Sequence, residues 1–343
     1  MLKKLVLFLC CLFLIGADYL GQKQLERSKN FMGTAFQITV FDSGLTKERL
    51  SFVVDNAFNK IGLIYDQMSS LKEGNLVSKI NQAKAGDSFQ LDEDTLYVLK
   101  ESLRVEQVAE GAFDITDRPI KKIWLEAKQK GEPPSKQAID SALPNVGTQF
   151  LDLNSETKIL TIKKQGVEID VDDVARGYAT EQAARILKEN GVKSAVIHAG
   201  GSLRLLGLSS EGRSWKLGIE HPRRIDDYAV VLELVDEAAI ATTGDYDNFF
   251  LFQDKRLPIV IHPKTGFPSE NRVASATVIA ENSAFANILS KVFFILGPDR
   301  SFEIIDRLKE EKIQAVFIEE KMPGQFTISC SEGIQTSLTD IDL

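Results

Sequence analysis

The chain has 343 residues, of which 43% are hydrophobic and 26% charged, and its formal net charge is −8. This composition supplies enough apolar material for one large domain or two moderate ones, which excludes a disordered or fibrous protein. Lysine and arginine are scattered along an acidic chain, so we expect no nucleic acid among its partners.

The first 17 residues have the pattern of an export signal. Two lysines precede an apolar run over 5–17, which is shorter than the roughly 20 residues of a membrane-spanning helix and ends in glycine and alanine. This pattern predicts cleavage and export, to a periplasmic or membrane-facing position in a bacterium. Ile15 is bulky for a position beside a cleavage site, which leaves an uncleaved segment as the alternative. Membrane association is expected through this segment at most.

Cysteine usage fits an exported protein without disulfides. Two of the three cysteines lie inside the apolar run, so cleavage leaves Cys330 as the single thiol. No histidine lies near Cys330 in the sequence, and the segment FTISC predicts a buried strand residue rather than a nucleophile.

A polar spacer over 18–30 precedes a domain that we expect to cover 31–343. Apolar residues at helical spacing dominate the first half of this domain. The elements predicted there are a strand within 32–43, helices over 46–67 and 92–110, a short helix ending near Asn81, and a surface linker over 130–137.

Strand patterns dominate from residue 150 onward. FLDLN, ILTIKK and VEIDV predict three strands, and Asp172-Asp173 predicts a turn before a helix over 176–190. Apolar segments between 194 and 280, among them LPIVIH, predict further strands, followed by a helix over 283–296 and another helix and strand within 301–318. Helices and strands mixed without strict alternation predict an α+β fold.

Several short motifs occur in a specific order: MGTAFQITV from Met32, GAFDIT at 111–116, the segment 168–181, AGGSLRLLG at 199–207, ATTGDY at 241–246 and IHPKTGFP at 261–268. In this order the chain resembles the ApbE family of FAD:protein FMN transferases. The resemblance implies mixed sheets packed around helices in a single large domain with two subdomain-like halves. It also implies an enzyme that cleaves FAD with Mg²⁺ and attaches FMN to a threonine of a flavin-acceptor protein.

The resemblance places the flavin contacts at specific residues. These are Met32, Ala112, Phe113, Asp114, Asp170, Arg176 and Ile261. Arg176 stands where lysine is common, so a fork of donors replaces a point charge. Leu71 stands where the family usually has an aromatic residue, which removes a stacking surface. We therefore expect FAD binding that is weaker than typical.

The positions that correspond to metal ligands are Asp173, Asn287, Ser290 and Lys291. Asparagine and serine each offer a neutral oxygen, whereas Lys291 brings an ammonium group to where a hydroxyl should face the cation. A divalent ion beside it is strongly disfavoured. Lys291 either turns away or takes the place of the metal.

The expected base also differs from the family pattern. Ile259 occupies the position of the usual histidine, and His262 occupies the position of an aspartate. His262 is the candidate catalytic base, although a displacement of three residues along a strand places it on the opposite face.

Two hypotheses remain for the pair Asp172-Asp173. Both side chains face solvent and cap the following helix, or Asp173 joins Lys291 and His262 in an ion-pair cluster that replaces magnesium. We favour the second, because changes at three metal or base positions are concentrated in one place. Two functions follow: an active, exported transferase, or a catalytically impaired relative that binds FAD or acts as a scaffold.

Overall fold

The structure is a computed structural model that describes residues 12–14, 23–70, 72–209, 213–224, 227–234, 237–253, 255–334 and 336–337. Eight α-helices lie within these ranges: α1 (Lys47–Met68), α2 (Leu76–Ile80), α3 (Glu93–Val108), α4 (Arg118–Lys130), α5 (Lys136–Ala142), α6 (Asp172–Glu189), α7 (Ser283–Leu296) and α8 (Pro298–Arg307).

The strands of the same ranges are β1 (Leu12–Leu14), β2 (Leu25–Phe31), β3 (Thr34–Asp42), β4 (Ser88–Gln90), β5 (Leu151–Asn154), β6 (Ile159–Ile162), β7 (Ser194–Ala199), β8 (Ser202–Leu206), β9 (Trp215–Glu220), β10 (Tyr228–Leu234), β11 (Ala238–Gly244), β12 (Phe249–Phe252), β13 (Lys255–Pro258), β14 (Val273–Ala280), β15 (Gln314–Met322), β16 (Gln325–Cys330) and β17 (Thr336–Ser337).

A central antiparallel sheet has the strand order β16-β15-β14-β11-β8-β7-β3-β2. Smaller sheets have the orders β1-β9-β10-β17, β4-β6-β5 and β12-β13. Strands and helices are mixed along the chain without strict alternation, which confirms the predicted α+β fold.

Both faces of the central sheet are buried. Val196 and Ile197 are neighbours in β7 but belong to different apolar clusters, and so do Val316 and Phe317 in β15. Because successive side chains of a strand point to opposite faces, the sheet separates two cores. One core includes α1, α6 and α7, and the other packs against β9 and β10. The single domain therefore has two apolar cores, one on each face of the central sheet.

Helix boundaries follow local capping. The Thr46 side chain accepts from a backbone N–H of the first turn of α1 at 3.3 Å. Asn282 caps α7 in the same way, with bonds of 2.9 and 3.1 Å, and α7 ends before Gly297, which has a φ of +79°. These contacts satisfy amide hydrogens that have no partner inside the helix. The helices predicted over 46–67 and 283–296 are confirmed.

A glycine allows α6 and α7 to approach closely. A Cβ atom added at Gly177 would lie 2.5 Å from Ala284 Cα and 2.6 Å from the Ser283 carbonyl oxygen. Both are backbone atoms, which a side-chain rotation cannot move away. The absence of a side chain at Gly177 therefore brings the second turn of α6 beside the first turn of α7.

The predicted strand over 167–171 and the turn at Asp172-Asp173 are wrong. Within 167–171 only an isolated bridge forms, between Glu168 and Asp117. Instead of a neighbouring strand, the Asn81 side-chain amide exchanges two hydrogen bonds with the backbone of Ile169, at 2.7 and 3.0 Å. The helix begins at Asp172 itself, so the acidic pair occupies its first turn.

Two further expectations differ from the structure. Strand β13 ends at Pro258, and of the following residues only Ile261 forms an isolated bridge, with Pro268. The argument that His262 lies on the opposite strand face from Ile259 therefore does not hold. Cys330 lies in a strand as predicted, but it is exposed and not buried.

Most of the predicted export signal lies outside the described residues. Leu12–Leu14 form β1, which pairs with β9. Cleavage and export stay predictions. None of the helices in the described ranges is both long enough and apolar enough to cross a membrane.

Candidate functional site

A pocket of about 350 Å³ is bounded by strand ends, two loops and the two closely packed helices. Thr34, Gly201 and Thr243 come from the strand ends, and Asp247 comes from a loop after β11. Of the residues predicted from the metal, base and flavin positions, six line it: Asp173, Arg176, Ile259, Asn287, Ser290 and Lys291. All four predicted metal positions therefore line one pocket, between the helices that meet at Gly177.

Both carboxylate oxygens of Asp173 accept hydrogen bonds from cations. Lys291 Nζ donates to Oδ2, and Arg176 Nη2 donates to Oδ1. Burial raises the pKa of Asp173, but Lys291, Arg176 and Lys121 oppose it and hold that pKa well below its usual range. At neutral pH, Asp173 is a charged carboxylate already neutralised by two fixed cations.

The hypothesis that both acidic side chains cap the helix from solvent is wrong. Asp172 accepts hydrogen bonds from the backbone N–H of Ser70 at 2.8 Å and from its hydroxyl at 2.5 Å. Burial and the neighbouring Asp170 raise the pKa of Asp172. Asp172 therefore ties the loop after α1 to the start of α6, while Asp173 faces the pocket.

A second charged cluster adjoins the first. Lys121 Nζ lies 3.0 Å from Asp117 Oδ1 and 3.2 Å from Asp170 Oδ2. Burial raises the pKa of Asp117 to about 7, although Lys121 opposes that change. Burial is the largest single influence on Asp170 and raises its pKa, but Lys121, the backbone N–H of Asp172 and Lys291 together hold the pKa of Asp170 below its usual value.

Lys121 is thus shared between two carboxylates. Burial alone would lower the pKa of Lys121, but Asp117, Asp170 and Asp173 raise it well above its usual value. Burial, to which the neighbouring Asp170 adds, therefore raises the pKa of Asp117 to about 7 even though Lys121 is in contact with it. Asp170 Oδ1 also accepts a hydrogen bond from the backbone N–H of Asp172 at 3.0 Å, which places this second cluster at the start of α6.

The polar side chains of α7 are engaged with neighbouring strands. Ser202 Oγ donates to Asn287 Oδ1, and the hydroxyls of Thr243 and Ser290 lie 2.9 Å apart. Two buried donors on the pocket lining have no partner among the described residues, Arg176 Nε and Asn287 Nδ2. Both of these buried groups are N–H donors, so oxygen atoms of a ligand are suitable partners for them.

His262 does not belong to this pocket lining. Its Nδ1 accepts from the backbone N–H of Lys264 at 3.2 Å, and burial together with Lys264 lowers its pKa. It is therefore neutral at pH 7. Ile259 does line the pocket, whereas Ile261 is buried beside Trp124.

The remaining predicted flavin positions lie in and around the main core. Met32 is buried in the turn between β2 and β3 with a φ of +51°, and Ala112 is buried in the same core. Phe113 packs against that core. Asp114 accepts from the backbone N–H and hydroxyl of Thr116 at 2.8 and 2.6 Å, and burial raises its pKa. Flavin contact at these positions stays a prediction, and Leu71 lies outside the described residues.

Comparison with protein families gives a match over most of the chain. Residues 32–317 match the model of the ApbE family. The chain belongs to the ApbE family. The resemblance inferred from the motifs is thereby confirmed, and the pocket lies among the matched residues.

Known ApbE proteins are similar to this chain in both sequence and fold. The FAD:protein FMN transferase of Haemophilus influenzae is 29% identical over 294 residues, which are 83% of this chain and 84% of that protein. The ApbE protein of Thermotoga maritima has a TM-score of 0.79 at 25% identity, covering 91% of this chain and 97% of that one. Flavin transferase ApbE from Vibrio cholerae has a TM-score of 0.76 at 25% identity, covering 91% and 97% respectively.

The magnesium ion implied by the ApbE resemblance does not fit the residues present. Both oxygens of Asp173 are occupied by cations, and the described ranges contain no group of three or more His, Cys, Asp or Glu side chains that could hold a metal. A divalent ion about 4 Å from an ammonium is repelled by about 8 kcal/mol at an effective dielectric constant of 20. The Lys291 ammonium, which already pairs with Asp173, would repel a magnesium ion in this way.

Several residues of the pocket and of the second charged cluster were missing from the sequence prediction. Thr34, Ser202 and Thr243 are hydroxyls at strand ends, and nothing local marks them. Lys121 follows Asp117 by four residues, a spacing that predicts an ion pair on a helix face. The spacing does not reveal that Asp170 shares the same ammonium group.

Proposed function

We propose that this chain is an FAD:protein FMN transferase that attaches FMN to a threonine of an acceptor protein. Its membership of the ApbE family supports the reaction class. The observation that carries the proposal is the pocket itself, because it gathers Arg176, Lys291 and unpaired N–H donors at the start of α6. Fixed positive charge and preorganised donors are what phosphoryl transfer requires of a protein.

The reaction breaks the phosphoanhydride bond of the FAD pyrophosphate and forms a phosphoester bond to the acceptor threonine. The acceptor hydroxyl oxygen bonds to the phosphorus of the FMN half, and the bond from that phosphorus to the bridging oxygen breaks. AMP leaves with the electron pair of the broken bond. The hydroxyl proton passes to a base, for which the chain offers the predicted His262 and the exposed Asp247 of the pocket lining.

Arg176 and Lys291 have complementary geometries in this role. The guanidinium group presents a planar fork to phosphate oxygens, whereas the ammonium group acts as a compact charge with three donors. Asp173 restrains both side chains, so less side-chain entropy is lost when an anion binds than with free surface cations. Ser290 and Thr243 hold each other and maintain the position of α7 against β11.

Covalent labelling tests this function directly. Purified full-length protein is incubated with FAD and a flavin-acceptor protein, and acceptor fluorescence is followed on a denaturing gel. Labelled threonine together with equimolar AMP supports the proposal. Tight FAD binding without labelling, over incubation times that label the acceptor with an active family member, contradicts it and supports the alternative of a catalytically impaired FAD-binding relative.

Export is a separate part of the proposal and rests on residues 1–17. We propose that the mature protein acts in the periplasm or facing a membrane, with the acceptor protein in the same compartment. Expression in a bacterium followed by fractionation and N-terminal sequencing tests it. A cytoplasmic product that retains Met1 would contradict export while leaving the transferase proposal intact.

A further inference from the structure

The pocket is more complementary to an anion than to a cation. Asp173, a partly buried carboxylate of its lining, uses both oxygens for Lys291 and Arg176. Among the described residues, the buried side-chain atoms of its lining that lack a partner are N–H groups, Arg176 Nε and Asn287 Nδ2. An arriving anion could accept hydrogen bonds from these groups, whereas an arriving cation would have to displace an existing ion pair.

Lys291 has donors left for a ligand. An ammonium group has three N–H bonds, and the structure assigns one of them to Asp173. The Lys291 side chain lines the pocket, and 32% of its surface is accessible to solvent. Asp173 therefore orients this charge without consuming its capacity to bind a phosphate oxygen.

The position of this charge is fixed by helix packing. Lys291 projects from α7 and Asp173 from the first turn of α6, and the close contact at Gly177 sets the distance between these helices. A cation that is built into the fold needs no supply of ions from solution. The Lys291 ammonium carries one positive charge, whereas a magnesium ion carries two. This suits a site where Arg176 already contributes a second positive charge.

We propose that Lys291, held by Asp173, supplies the positive charge at the FAD pyrophosphate that a divalent ion would otherwise supply. FAD binding is then independent of divalent cations. The same holds for FMN transfer, a part of the inference that rests on the proposed function. Lys291 acts as a binding residue with Arg176 beside it, and Asp173 is a positioning residue.

Equilibrium dialysis of full-length protein with FAD, in EDTA and in MgCl₂, tests the inference. For the native chain we expect the two dissociation constants to agree within about twofold. Lys291→Met removes a charge-assisted hydrogen bond, so it should weaken FAD binding about 10- to 100-fold. Binding of riboflavin, which has no phosphate, should not change.

Two further variants separate charge from folding. Lys291→Arg keeps the charge and should bind FAD within about fivefold of the native chain, since the longer fork still reaches ligand oxygens. Lys122→Met removes an exposed lysine that pairs with Glu168 and is absent from the pocket lining, and it should leave FAD binding unchanged. Thermal unfolding of each variant shows whether weaker binding reflects lost structure.

The outcomes distinguish the inference from the proposed function. FAD binding that is lost in EDTA and restored by magnesium overturns the inference, while labelling in magnesium would still support the transferase. Unchanged FAD binding by folded Lys291→Met also overturns it. No FAD binding in either condition overturns both. Cation-independent binding without any labelling overturns the transferase proposal but supports the role of Lys291 in binding.

Discussion

Replacing Gly177 by alanine tests the helix contact that positions the site. The new Cβ would lie 2.5 Å from Ala284 Cα, 2.6 Å from the Ser283 carbonyl oxygen and 2.7 Å from Asn287 Nδ2. Ordinary contacts begin near 3.4 Å, so α6 and α7 must separate by about 0.9 Å at the closest pair. Glycine to alanine inside a helix gains about 1 kcal/mol from propensity, whereas overpacking a core costs about 1 to 3 kcal/mol.

Because two of the three close atoms are backbone, we expect the packing cost to prevail and the free energy of unfolding to fall by up to about 2 kcal/mol. FAD binding should weaken as well, because the shift moves Asp173 away from Lys291. Urea denaturation gives the first quantity and equilibrium dialysis the second.

Gly62 in α1 is a matched control. Its added Cβ would lie 3.4 Å from the edge of the Phe31 ring, where a small side-chain adjustment is sufficient. Gly62→Ala should therefore leave stability unchanged or raise it by about 0.5 to 1 kcal/mol. If Gly177→Ala proves as stable as Gly62→Ala and binds FAD equally well, the close helix contact does not position the site.

Three other predictions concern the charges and the base. The pKa of Asp117 in the folded state is about 7, which is above its value in the unfolded chain. Its contribution to the free energy of unfolding is therefore complete below about pH 4 and is lost as the pH rises through 7. Asp117→Asn should flatten this decline, which urea denaturation at pH 5 and pH 8 measures. If a single base accepts the proton, either Asp247→Asn or His262→Ala should slow labelling about 100-fold while FAD binding is retained, and no effect from either variant would exclude both. Lys291→Thr combined with Asn287→Asp should make FAD binding depend on magnesium, and the double variant would contradict the electrostatic argument if EDTA had no effect on it.

The sequence predicts the helices well where a cap and apolar spacing agree. Both signals are present at α1, and at α7 the Asn282 cap and Gly297 bound an almost wholly buried apolar run. The signal of alternation is less specific. Val167, Ile169 and Val171 alternate with polar residues and are all buried, yet their segment has no strand beside it. Alternation reports which side of an extended segment is buried, and the partners can be one isolated bridge and a side chain, here Asp117 and Asn81.

The candidate site is only partly predictable for a similar reason. The motif order places Asp173, Asn287 and Lys291 at related positions of the family, and the structure brings them to one pocket. The partners that decide the electrostatics come from distant parts of the chain. Lys121 and Asp170 are 49 residues apart, and no local pattern links them.

The contact between Asp173 and Lys291 joins residues that are 118 positions apart in the chain. During synthesis, the N-terminal part emerges from the ribosome with Asp173 lacking one of its two neutralising cations. An incomplete polypeptide that stops before α7 cannot form this pocket, whatever its earlier segments fold into. Capture of a nucleotide ligand would therefore report that the chain is intact through the last helix of the site.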